Sequence, residues 1–156
     1  MKAIISLIVI LFSSLSCADC FDKAGNYYYI DPDYLRAIAY QESKFNKRAI
    51  NKNDNNSIDY GIMQINSSTL KNLQKEYPQL NEDILLENAC LNIFVGALVL
   101  KRNFDKLGRN WLAVGAYNAG TRNRENTIQN RYKYANLIKQ HYDNIKKGNI
   151  IPPKIR

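Results

Sequence analysis

The stretch LENACLNIFVGALVLKRNFDKL, residues 86–107, decides the fold. Leu86, Cys90, Ile93, Ala97, Leu100, Phe104 and Leu107 recur every three or four positions and draw one apolar stripe along a helix. Leu91, Phe94, Val95, Leu98 and Val99 fill much of the remaining circumference. A helix apolar nearly all round is stable only when other elements surround it. The stretch therefore predicts a central core helix inside a small, mainly α domain.

The flanking segments agree with that reading. Asp31-Pro32 is a helix start, with Asp at the N-cap and Pro at the first helical position. Leu35, Ile38, Glu42 and Phe45 follow at helical spacing. Residues 51–56 are nearly all Asn, Asp and Lys, and Ser57–Ile65 carries Gly61, so residues 51–65 suit a small β-hairpin or a turn. Ser67–Lys75 reads as a short helix stopped by Pro78. Beyond the core stretch, Trp111–Ala119 is a short apolar helix with Gly120 at its C-cap. Ile128, Tyr132, Ala135, Ile138, Tyr142 and Ile145 pattern a last helix that Gly148-Asn149 ends. With Pro152-Pro153 inside it, Ile150–Arg156 reads as a flexible basic tail. There is no internal repeat and no linker, so residues 19–149 form one domain.

The chain opens with Met1-Lys2, an apolar run from Ala3 to Phe12, and small residues ending Ser16-Cys17-Ala18. A basic start, a short apolar stretch and small residues before a cut describe a secretory signal peptide over residues 1–18. The run is shorter than the ~20 residues that cross a bilayer. Of 3 Cys, cleavage leaves Cys20 and Cys90. In an oxidising compartment the pair reads as one disulfide, closing a loop of about 70 residues; two free buried cysteines are the alternative. A single His excludes a His-rich metal site, and no zinc-finger spacing is present. No metal or cofactor is expected.

The formal net charge is +8, from 22 basic and 14 acidic residues. Residues 19–120 hold 12 of each, whereas residues 121–156 hold 9 basic and 2 acidic. Such block asymmetry suits a surface that meets polyanions, or simply a solvated helix face. Nucleic acid would need a recognised binding motif and a compartment that contains it, so no nucleic-acid partner is expected.

Three stretches carry candidate chemistry. Glu42 shares the face of Leu35, Ile38 and Phe45 and lies near the end of its helix. Desolvation and the helix dipole both disfavour its charge there, which suits a general acid. The same placement also suits a structural Glu paired with Arg or Lys. In Asp59-Tyr60-Gly61-Ile62-Met63-Gln64-Ile65-Asn66-Ser67, apolar and amide residues alternate around a Gly. Gln64 and Asn66 can read sugar hydroxyls and acetamido groups, or can cap the next helix. Gly115-Ala116-Tyr117-Asn118-Ala119-Gly120 sets Tyr and Asn among small residues, which admits either a ligand or a tightly packed helix. His141 lacks triad partners and reads as a surface or packed histidine. Tyr27-Tyr28-Tyr29 suits packing near the cysteine or a sugar-stacking edge.

Together Glu42-Ser43, Gly61-Ile62-Met63-Gln64 and Ala116-Tyr117-Asn118-Ala119-Gly120 resemble the three signature motifs of lytic transglycosylases with the lysozyme-like fold. Tyr134, in Arg131-Tyr132-Lys133-Tyr134-Ala135, matches the family's tyrosine on the last helix. The opening Asp19–Gly25 and the partner Cys90 are similar to the small periplasmic members of the IagB/IpgF type, which accompany type III secretion, type IV secretion and pilus systems. The resemblance runs from about Asp19 to Ile138.

It implies a periplasmic enzyme that cleaves the β-1,4 bond between N-acetylmuramic acid and N-acetylglucosamine and leaves a 1,6-anhydro product. Peptidoglycan strands would be the substrate, a secretion or pilus apparatus the partner, and a monomer the working form. Glu42 would be the acid, with Ser43, Gly61, Met63, Gln64, Tyr117, Asn118 and Tyr134 binding substrate around it. One feature departs from the broad family: Asp59 precedes the second motif, where c-type lysozymes also place a carboxylate. Two carboxylates would permit hydrolysis with Glu42 and Asp59 both catalytic. A non-catalytic glycan-binding scaffold and a cationic membrane-active effector are readings from other classes.

Overall fold

The computed structural model describes residues 18–156. The expected signal peptide, apart from Ala18, lies outside the described residues. Helix α1 (Cys20–Tyr28) leads into α2 (Pro32–Ser43), then strands β1 (Ile50–Lys52), β2 (Ile58–Tyr60) and β3 (Ile65–Asn66). Helices α3 (Ser67–Leu73), α4 (Glu82–Glu87), α5 (Ala89–Leu107), α6 (Trp111–Ala119) and α7 (Glu125–Lys146) follow. The strands form one antiparallel sheet in the order β1-β2-β3, with Ile50 opposite Tyr60 and Asp59 opposite Asn66. Residues 51–65 thus hold a small sheet rather than a lone turn.

Short polar side chains start most of the helices, by satisfying backbone N–H groups that lack an intrahelical acceptor. Asp31 accepts from the Asp33 N–H at 2.9 Å, with Pro32 behind it. Asn66, Asn81, Asn88 and Asn110 do the same for α3, α4, α5 and α6. Asn88 also divides the long apolar segment: Leu86 belongs to α4, and the central helix begins at Ala89.

The core centres on α5, whose Ile93, Ala97 and Leu100 are fully buried among Phe21, Leu35, Ile38 and Ile138 of other helices. Helix α1 lies across α5 and is bonded to it by the Cys20–Cys90 disulfide, with Cα atoms 5.2 Å apart. Arg36 on α2 reaches back to α1, pairing with Asp19 at 3.1 Å and Asp22 at 2.6 Å while also meeting Asp33 of its own helix. Tyr27 and Tyr28 pack edge-on against each other and against Phe94 of α5, while Tyr27 and Tyr29 stay largely exposed.

Helix α6 lies closest to α7 at Gly115, where a Cβ would stand 2.1 Å from the Arg131 carbonyl oxygen. Only glycine permits that approach, and the approach brings the α7 side chains within reach of α2. Part of the basic excess on α7 is paired: Lys139 meets Asp143 at 2.8 Å, and Lys146 meets Asp33 of α2 at 2.6 Å.

The C-terminal residues correct the expectation of a loose tail. Ile155 is 1% exposed, and its carbonyl accepts from the Cys20 N–H at 2.8 Å. Ile155 belongs to the buried core, and its bond to Cys20 ties it to the start of α1. No helix among the described residues is long and apolar enough to cross a membrane.

Candidate active site

Glu42 lies in the last turn of α2, ahead of Lys44, which ends the helix in the left-handed conformation. The phenol of Tyr134, delivered by α7, donates a hydrogen bond to its Oε1. Burial raises the Glu42 pKa from its ordinary 4.5 to about 7, the Tyr134 bond opposes that rise, and the charge of Asp59 adds to it. Glu42 is therefore substantially protonated near neutral pH, as a general acid must be. Burial and the nearby Glu42 charge push the Tyr134 phenol well up, so it stays a neutral donor.

Asp59 on β2 faces the same space. Asn53 Nδ2 donates to its Oδ2 at 2.9 Å and Asn66 Nδ2 to its Oδ1 at 2.7 Å. Both carboxylate oxygens are thus held in place by neutral amides, with no cation beside them in these contacts.

The loop between β2 and β3 is built on Asn92 of α5. Asn92 is fully buried: its Oδ1 accepts from the Met63 N–H, and its Nδ2 donates to the Tyr60 and Leu85 carbonyls. Gly61 has φ +77° and sits so close that a Cβ would lie 2.2 Å from Asn92 Nδ2. The Met63 side chain is fully buried against Gly96, while its carbonyl accepts from the Tyr117 hydroxyl at 2.9 Å. Ser43 Oγ donates to the Ile62 carbonyl at 2.7 Å, tying α2 to this loop. Gln64 accepts from Asn51 and donates to the Gly61 and Ala49 carbonyls. Across the site, Arg131 of α7 donates to the Gly120 and Arg122 carbonyls and fixes the turn after α6.

The structure brings Glu42, Asp59, Gln64, Tyr117 and Asn118 to the wall of one groove of about 1060 Å³. Tyr134 supports Glu42 from the protein side. Ser43, Gly61 and Met63, expected to bind substrate, do not line it; they shape the loop instead, because their polar or apolar needs are met within the protein. Sequence reasoning passed over Asn51, Asn53, Asn92 and Arg131, since nothing in the local pattern separates a turn asparagine from a buried network member. His141 packs edge-on against Tyr40 and meets Gln41 through its ring nitrogen, and it does not line the groove.

Comparison with known proteins identifies the family. The chain matches the Transglycosylase SLT domain over residues 19–139. It is 42% identical to protein IpgF of Shigella flexneri over 142 residues, covering 91% of each chain. It is 39% identical to invasion protein IagB of Salmonella typhimurium, covering 91% of this chain and 86% of that protein. Its fold matches lytic transglycosylase Slt of Pseudomonas aeruginosa with a TM-score of 0.62 and 20% identity, over 85% of this chain and 24% of that larger one. Family match and relatives agree: the chain belongs to the transglycosylase SLT family of peptidoglycan lytic transglycosylases.

Proposed function

We propose that the protein is exported and cleaves the bond between N-acetylmuramic acid and N-acetylglucosamine, releasing a 1,6-anhydro sugar, to open the wall for a secretion or pilus apparatus. The observation that carries the chemistry is Glu42: a carboxyl held protonated to about pH 7 by burial and positioned by Tyr134. Glu42 gives its proton to the glycosidic oxygen as the bond to C1 breaks. The carboxylate so formed takes the proton of the muramic 6-hydroxyl while O6 bonds to C1, so the acid is restored within one turnover. Gln64, Tyr117 and Asn118 shape the groove around the reacting rings. Export is supported by the leader-like N-terminus and by a disulfide, which suits an oxidising compartment. The link to an apparatus rests on the relatives named IpgF and invasion protein IagB.

Asp59 favours a second reading, hydrolysis, because it supplies a second carboxylate whose charge is felt at Glu42. Mass spectrometry of muropeptides released from purified sacculi separates the two. Anhydro ends are expected from the wild type. Asp59→Asn is expected to keep them while slowing release about tenfold to a hundredfold, through lost stabilisation of the cationic transition state. Reducing-end products from the wild type would move the assignment to a muramidase.

A further inference from the structure

One polar atom in the groove wall is unaccounted for. Asn103 on α5 lines the groove and is 7% exposed, and its Nδ2 is buried without any hydrogen-bond partner among the described residues. Native interiors rarely leave such a donor unpaired, because it has given up water and received nothing in exchange. The contrast with Asn92 is instructive, since both lie on one helix. Asn92 has both ends of its amide bonded to the protein.

The positions 92, 96, 99, 103 and 106 share one face of α5. Along it Asn92 and Gly96 support the motif loop, Val99 and Asn103 line the groove, and Lys106 bonds to Thr121 on the far rim. Seven residues separate Gly96 from Asn103, so the orphan amide lies roughly 10 Å along the helix axis from the packing point of Met63. Asn103 lines the same groove as Gln64, Asn72 and Thr121.

We infer that Asn103 is a positioning residue that reads the N-acetyl group of a sugar unit away from the cleaved bond. A secondary amide offers one C=O and one N–H, and the Asn carboxamide offers the complementary NH₂ and C=O. As placed, Nδ2 is shielded, and a half-turn about the broad, two-fold terminal torsion brings it to the groove. Val99 and Ala119, which line the same wall, provide apolar surface for the acetyl methyl. The inference rests on the glycan-cleaving reading and adds to it the group that sets register along the strand.

The test compares wild type, Asn103→Ala and Asn103→Leu on peptide-free glycan strands, on peptide-bearing strands and on the shortest oligosaccharide that is cleaved. Asn103→Ala is expected to raise KM about tenfold on both kinds of long strand, with kcat kept, and to leave the shortest substrate unaffected. Asn103→Leu is expected to show the same KM rise with a melting temperature no lower than wild type, since it removes an unpaired donor from the interior. An active wild type matched by Asn103→Ala on every substrate overturns the inference alone. So does an equal fall on short and long substrates. A fall confined to peptide-bearing strands overturns it in favour of a stem-peptide amide. A wild type that cleaves nothing overturns the glycan-cleaving reading, and this inference with it.

Discussion

Glu42→Gln is expected to lower wall digestion by at least about a thousandfold, since the proposed mechanism has Glu42 give and retake the proton. Gln keeps an acceptor for the Tyr134 hydroxyl, so circular dichroism and chromatographic behaviour should match the wild type. The substitution should also stabilise the fold, in a pH-dependent way. With a folded pKa of about 7 against an ordinary 4.5, the native state holds its proton more tightly than the unfolded chain. Between those values rising pH ionises the unfolded chain first, so the Glu42 contribution is retained below pH 4.5 and lost by about pH 7. Gln has no such loss. Denaturant melts at pH 8 should therefore place Glu42→Gln above wild type by about 1–3 kcal/mol, discounting for solvent at the groove mouth, with the gap closing near pH 4. Wild-type activity should likewise decline as pH rises through 7, where the acid form disappears. Retained lysis in the variant would refute the role given to Glu42.

Replacing both Cys20 and Cys90 by Ser is expected to cost about 4 kcal/mol of stability, because the bridge closes a loop with a sequence separation of 70. For a single domain of this size that is a large share of the total. Loss of the bridge should loosen α1 from α5 first, and with it the Arg36 network that holds α1 to α2. Thermal melts with and without reductant measure the effect. Coincident curves would mean that Ile155 and the Arg36 pairs alone secure α1.

Much of the site was legible because its logic is local. Glu42 stood out as a carboxylate on the face of Leu35 and Ile38, and the structure puts it in the last turn of α2. Trp111–Ala119 was readable as a helix because apolar content and a capping Gly120 agree. Helix α1 was not readable. Gly25 and a run of three tyrosines argue against a helix, yet Gly25 is required, since a Cβ would lie 2.6 Å from the Ile30 carbonyl oxygen. The roles of Gly61 and Met63 were misplaced for a related reason: alternation around a glycine says that one side faces inward, but not that Asn92, some thirty residues on, fills the space behind it. Tyr134 meets Glu42 across a sequence separation of 92, and local periodicity alone does not reveal that contact.

The docking of Ile155 beside Cys20 gives the domain a single attachment point. The backbone near residue 18 and the backbone near residue 156 leave the same patch of surface, joined there by a hydrogen bond of 2.8 Å. A tether fixed at either end would hold the groove in nearly the same orientation. The domain could also be spliced into a loop of another protein without stretching either connection.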